Sequence, residues 1–117
     1  MRTEELKLRT KQFALRVIKL VEALPKNKIG DVLGNQLLRS ATSVEANYRA
    51  ACRARSKADF ISKIAIVEEE ADESLFWLEL IAESGLMNTA RLKDLTKEAD
   101  ELTAIFTATG KTAKQNR

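Results

Sequence analysis

From Ser56 to Gly85 the chain reads SKADFISKIAIVEEEADESLFWLELIAESG, a stretch that is apolar on two sides of one helix. A helix advances ~100° per residue, so its faces follow from counting. Phe60, Ile64, Val67, Ala71, Leu75, Leu78 and Ala82 make one continuous stripe, the side expected to close a core. Ile66, Trp77 and Leu80 fall nearly opposite, with Phe76 at the flank and Glu69, Glu70 and Glu73 among them. Monomers rarely leave that much aromatic and aliphatic surface in water, and aromatic residues are favoured interface anchors. The pattern points to a helix that packs inside its own protomer and also against another copy. Cover by a terminal segment is the competing reading, but the C-terminal residues are polar.

The rest of the chain divides into three further amphipathic segments. A first helix is predicted from Thr3 to Leu24, with Phe13, Val17, Leu20 and Leu24 inward, and Pro25 ends it. A second runs from about Asp31, its predicted N-cap, to Arg53, with Gly34 near its start. Its inward residues are Leu33, Leu37, Ala41, Val44 and Tyr48, with Leu38 beside them. Ser56 caps the third helix, with Asp59 in the position of a capping box, and Gly85 fits the position that ends it. Asn88 or Thr89 caps the fourth, which carries Leu92, Leu95, Ala99, Leu102 and Phe106 inward and ends at Gly110. Short connections between four such helices predict an all-α, antiparallel up-down-up-down four-helix bundle over residues 1–110, with 111–117 a basic, disordered tail.

Composition removes much enzyme chemistry. The 117 residues include no histidine, the usual general base near neutral pH and the commonest metal ligand. Bundle di-iron sites need Glu-x-x-His pairs, so Glu68, Glu69, Glu70, Asp72 and Glu73 read as a solvated or interface-facing acidic run. The single cysteine, Cys52, has no histidine to activate it and lies one turn from Tyr48, as an ordinary packing residue would. No phosphate-binding glycine loop occurs, and 5% aromatic residues argue against a base-stacking platform. No catalytic residue, cofactor, metal or small-molecule substrate is expected. No membrane span or signal peptide is visible, so a cytoplasmic location is expected.

Charge is unevenly spread. Residues 1–28 hold eight basic and three acidic side chains, and residues 39–63 six basic and two acidic. Residues 68–83 hold seven acidic and none basic. One reading is that basic and acidic surfaces complement each other between helices or subunits, with Arg39, Arg49 and Arg53 pairing across the interface. The other is a phosphate-binding surface for RNA or DNA, built from Arg9, Lys11, Arg16, Lys19, Arg55, Lys57, Lys111 and Lys114. Ser40, Ser43, Ala46, Asn47, Ala50 and Ala54 line the side of the second helix away from its leucines. They suit either the close approach of another backbone or a thinly covered solvent face.

The segment LGNQLLRSATSVEANYRAACRARSKADFISKIAIVEEEADESLFWLELI, Leu33 to Ile81, resembles the four-helix bundle protein family, also called the 23S rRNA-intervening sequence protein family. RSATS and ANYRAACRARSKADF are its most specific portions, and Glu45 departs from the small residue typical before Ala-Asn. The resemblance implies a bundle assembling into a ring-like homopentamer. It also implies similarity to the accessory variability determinant of diversity-generating retroelements, a pentamer that associates with nucleic acid and a reverse transcriptase. The first expectation is thus a non-enzymatic scaffold or adaptor whose partner is itself. The second is a nucleic-acid-binding accessory protein.

Overall fold

All four predicted helices form, and local chemistry sets where each begins and ends. The computed structural model describes residues 1–88 and 90–116, in which α1 spans Thr3–Glu22, α2 Lys28–Cys52, α3 Lys57–Glu83 and α4 Ala90–Gln115. α2 starts earlier than Asp31 because Asn27, in extended conformation, caps it: its side-chain oxygen accepts from the Gly30 N–H at 2.8 Å. Asp31 instead lies in the first turn, where a carboxylate favours the helix dipole. Gly30 is required there, since a Cβ would stand 2.1 Å from the Pro25 carbonyl oxygen. Gly34 is buried, and a Cβ on it would come within 3.1 Å of Leu24 and 3.2 Å of Val21, so α1 and α2 approach closely at this level.

Ser56 caps α3 as expected, its hydroxyl accepting from the Asp59 N–H at 3.0 Å. Asp59 reciprocates one residue upstream of the usual box, accepting from the Arg55 N–H at 3.1 Å. Gly85 ends the helix in the left-handed region, with φ 74°. The predicted stop at Gly110 does not occur: α4 continues to Gln115, so residues 111–115 are helical where a disordered tail is predicted. Gly110 faces α3, where a Cβ would sit at an ordinary 3.5 Å from Ile64, and α4 passes it despite the ~1 kcal/mol that glycine costs inside a helix. Thr89 and Arg117 lie outside the described residues, and Asn88 precedes α4 without helical structure.

The helices form an elongated bundle of 48 × 20 × 20 Å. α1 and α3 each adjoin both α2 and α4, while neither diagonal pair shows close backbone approach among the described residues. Glu68 meets Thr107 while Ile64 lies against Gly110, so α3 and α4 run in opposite directions. Phe13, Val17 and Leu20 of α1, Leu37 and Val44 of α2, Ile64 and Leu78 of α3, and Leu102 and Phe106 of α4 are fully buried. Tyr48 and Phe106 cross the centre with ring centroids 5.3 Å apart. The inner stripe of α3 differs in part from the prediction: Phe60 and Leu75 are half-buried, Ala82 is exposed, and Ser74 and Ile81 are buried in their place. A straight helix drifts ~20° per heptad against a fixed seam, and over 27 residues this turns the buried side towards α2.

Candidate assembly surface and basic grooves

The outward side of α3 keeps the apolar residues that its core does not use. Phe76 is 51% exposed, Ile66 40% and Leu80 38%. Trp77 sits lower, half-buried against the core, and is therefore a flank of the patch rather than its outermost anchor. Its ring meets Phe76 edge-on at 4.8 Å, and its Nε1–H donates to Glu73 at 3.3 Å. Phe76 thus stays exposed, while Trp77 is partly covered by the core.

Two residues not foreseen extend this patch onto α2. The Ser40–Ser74 hydrogen bond of 3.0 Å fixes the register of α2 against α3. In antiparallel register it carries Ile29 and Val32, both exposed, to the end of the bundle that holds Trp77 and Leu80. Val32 falls off the inner stripe of α2 by the same counting, but Ile29 precedes the predicted start at Asp31, and neither is seen to adjoin α3 until the helices are placed side by side. Ser40 itself is not on a free face. It is fully buried, donates to the Leu37 carbonyl and accepts from Ser74, so it belongs to the α2–α3 seam. Ser43, Asn47, Ala50 and Ala54 are half-buried and Ala46 exposed.

Arg39 reaches the acidic helix, but inside its own protomer. Its guanidinium donates to Glu70 at 3.1 Å and to Glu73, which raises its pKa, the Glu73 hydrogen bond contributing most. Partial burial works against ionisation of Glu73, yet the hydrogen bonds from Arg39 and Trp77 hold its carboxyl below the usual range. Arg39 therefore clamps α2 to α3. Arg9 is similarly committed: it forks onto Glu98 with two 2.7 Å bonds and onto Glu101 with a third, tying α1 to α4. These carboxylates, the Glu98 hydrogen bond first, raise its pKa against desolvation. Such a paired guanidinium is a poor phosphate contact.

Several of the other cations gather at one end of the bundle. Lys7, Lys11, Arg49 and Arg53 line one groove between α1 and α2, together with Glu4, Glu45 and Tyr48. Arg49, Arg53, Arg55 and Lys63 line a second, where Asp59 is paired with Lys63. Both grooves lie at the end of the bundle where α2 stops and α3 begins. Lys57 is exposed at this end, as are Lys111 and Lys114 in the last turns of α4. Arg16 and Lys19 are exposed along α1 away from it, with Lys19 3.7 Å from Glu22. Lys7 and Lys63 were not foreseen, since each looks like an isolated helix-surface lysine until the helices are placed side by side.

Cys52 is half-buried in the turn below Tyr48, whose phenol is pushed up to about 12, chiefly by burial and then by the neighbouring thiol. The described residues hold no cluster of three or more metal-ligating side chains, and no helix is long and apolar enough to cross a membrane.

Comparison with known proteins agrees with this architecture. The crystal structure of a Bacteroides thetaiotaomicron protein of unknown function, from the S23 ribosomal protein family, superposes with a TM-score of 0.86 and 32% sequence identity. The match covers 95% of this chain and 99% of that one. No curated protein matches the chain. The family model for the 23S rRNA-intervening sequence protein matches residues 4–108, which takes in all of α2 and α3 and most of α1 and α4. The resemblance first carried by Leu33–Ile81 thus extends through all four helices, and the chain belongs to the 23S rRNA-intervening sequence protein family.

Proposed function

We propose that this chain is a non-enzymatic, self-assembling four-helix bundle that serves as a scaffold or adaptor, with five copies as the number the family likeness implies. The observation that carries the reading is the outward face of α3, where Ile66, Phe76 and Leu80 stay exposed beside a half-buried Trp77. A contiguous apolar patch rimmed by charge marks an interaction surface. Arg39 is held within its own protomer, which leaves Arg49 of α2 and Arg53 just after it as the predicted arginines able to pair with another copy. A cytoplasmic location fits a single half-buried thiol. The test is light scattering on the intact chain and on Phe76→Glu. The wild type should be a multiple of the 13.1 kDa protomer, and the variant a folded single copy. A wild-type monomer at micromolar concentration, or a variant of unchanged mass, overturns the reading.

A second reading is favoured by the two adjoining grooves that gather Lys7, Lys11, Arg49, Arg53, Arg55 and Lys63 at one end of the bundle. In this reading the assembly is an accessory protein that holds RNA or DNA by its phosphates, with Lys57, Lys111 and Lys114 nearby. Arg9 drops out of the original set because Glu98 and Glu101 occupy it. Binding should weaken steeply with salt, by ~0.7 logarithmic units per decade for each single-strand phosphate contact. Arg49→Ala with Arg53→Ala should lower that slope by about 1 to 2. Failure of both RNA and DNA to bind at low salt removes this reading and leaves the first intact.

A further inference from the structure

We propose that the groove between the end of α3 and the start of α4 is a docking site for a short amphipathic helix of another protein, one with a basic and an acidic edge. The inference rests on the adaptor reading above and gives the adaptor a place to hold a client. Leu75 and Ala82 of α3 and Met87 of the connecting segment form the apolar part of the groove. Leu75 and Ala82 belong to the stripe whose spacing predicts core, yet Leu75 is half-buried and Ala82 exposed, and Met87 beside them is half-buried. The core side of α3 therefore runs on past the point where the bundle covers it.

The walls decide the occupant. Glu79 and Glu83 stand one turn apart on α3, and Lys93 and Lys97 one turn apart on α4, with Asp100 beyond them. All five are exposed, and none makes an ion pair among the described residues. Elsewhere the bundle spends such charges internally, as Arg9 does on Glu98 and Glu101. Here two carboxylates and two ammonium groups line one groove without meeting. Each wall repeats its charge every turn, which is the repeat another helix presents along its own edges. From Ala90 to Asp100 the groove runs ~15 Å, about three turns of such a helix. A helix laid there sets its apolar stripe on Leu75, Ala82 and Met87, its basic edge along Glu79 and Glu83, and its acidic edge along Lys93 and Lys97. Turning it end for end would exchange the edges, so the two walls also select its direction.

Fluorescence anisotropy of labelled peptides on the intact chain tests this. The probes are stapled helices of about fifteen residues, since free helices of that length are marginal in water. All share a leucine stripe: one has a basic and an acidic edge, one two acidic edges and one two basic edges. The mixed peptide should bind roughly tenfold tighter than either of the others, the effect of a few exposed ion pairs. Lys93→Glu with Lys97→Glu makes both walls acidic and should transfer the preference to the peptide with two basic edges. Ala82→Glu should obstruct the apolar floor and abolish binding. The substituted side chains are exposed, so both variants should keep the wild-type circular dichroism and mass. A mixed peptide that does not bind, equal affinity for all three, or a preference that the lysine substitutions leave unmoved overturns the proposal and leaves the assembly reading intact. A particle of lower mass in either variant means that another copy fills the groove, which also overturns it. Should Ala82→Glu lose helix, the charge switch decides alone, because it alters only exposed lysines.

Discussion

α3 and α4 are nearly equal in length, at 27 and 26 residues, and pack side by side, yet their outer sides have little in common. α4 buries Leu92, Leu95, Ala99, Leu102 and Phe106; its exposed residues are polar or alanine, such as Ala104 and Ala108, with Ile105 half-buried. α3 buries an equivalent stripe and still carries Ile66, Phe76 and Leu80 outside. One amphipathic stripe is therefore enough to build the protomer, and a second stripe has to be explained by something outside it.

The strongest challenge to that contrast is a matched pair of surface substitutions. Phe76→Glu should reduce the particle to one protomer while stability of the fold changes by no more than ~0.5 kcal/mol. Ala104→Glu on α4 should alter neither mass nor stability, as size-exclusion and thermal melts would register. Equal behaviour of the two variants would erase the distinction. On the inner sides the two helices should look alike: Leu78→Ala and Leu102→Ala, both fully buried, should each cost about 2 to 5 kcal/mol in urea melts. A much smaller loss in α3 would mean that its inner stripe is not core.

Smaller in effect, Gly30→Ala forces a Cβ into the Pro25 carbonyl and should cost about 1 to 3 kcal/mol, against near-neutrality for Lys28→Ala in the same turn. The smallest effect concerns acid. The Lys63 hydrogen bond, followed by that of the Arg55 N–H, lowers the pKa of Asp59, and Glu73 is lowered by Arg39 and Trp77. Folded values below the unfolded ones mean that this stability is present above about pH 4 and is lost as pH falls through the folded values. Asp59→Asn should therefore melt below the wild type at about pH 6, and the gap should close near pH 2. A gap that does not change with pH would contradict the assignment.

Much of the fold was legible in the residues because burial imposes a period. Every inward residue of α4 and the capping of α3 by Ser56 followed from spacing and cap chemistry alone. The misses arose where tertiary contact outweighs local preference. Asn27 and Asp31 are both competent caps, and only the close approach of Gly30 to Pro25 decides between them. Gly110 reads as a stop, yet one glycine inside a helix costs only ~1 kcal/mol and α4 continues past it to Gln115. The α3 patch was visible in advance, whereas Ile29 and Val32 each look like stray surface residues until neighbouring helices are in place. Charge pairing was the least legible. Arg9 finds carboxylates about ninety residues away, and Arg39 finds its own α3, so neither partner could be read from sequence spacing.

The central claim is that the outer face of α3 is covered by another copy of the chain. Native mass spectrometry of the wild-type protein at micromolar concentration tests it most directly. Particles at an integer multiple of 13.1 kDa, five being the multiple that the family likeness implies, are the predicted result. A spectrum holding only the 13.1 kDa species would contradict it.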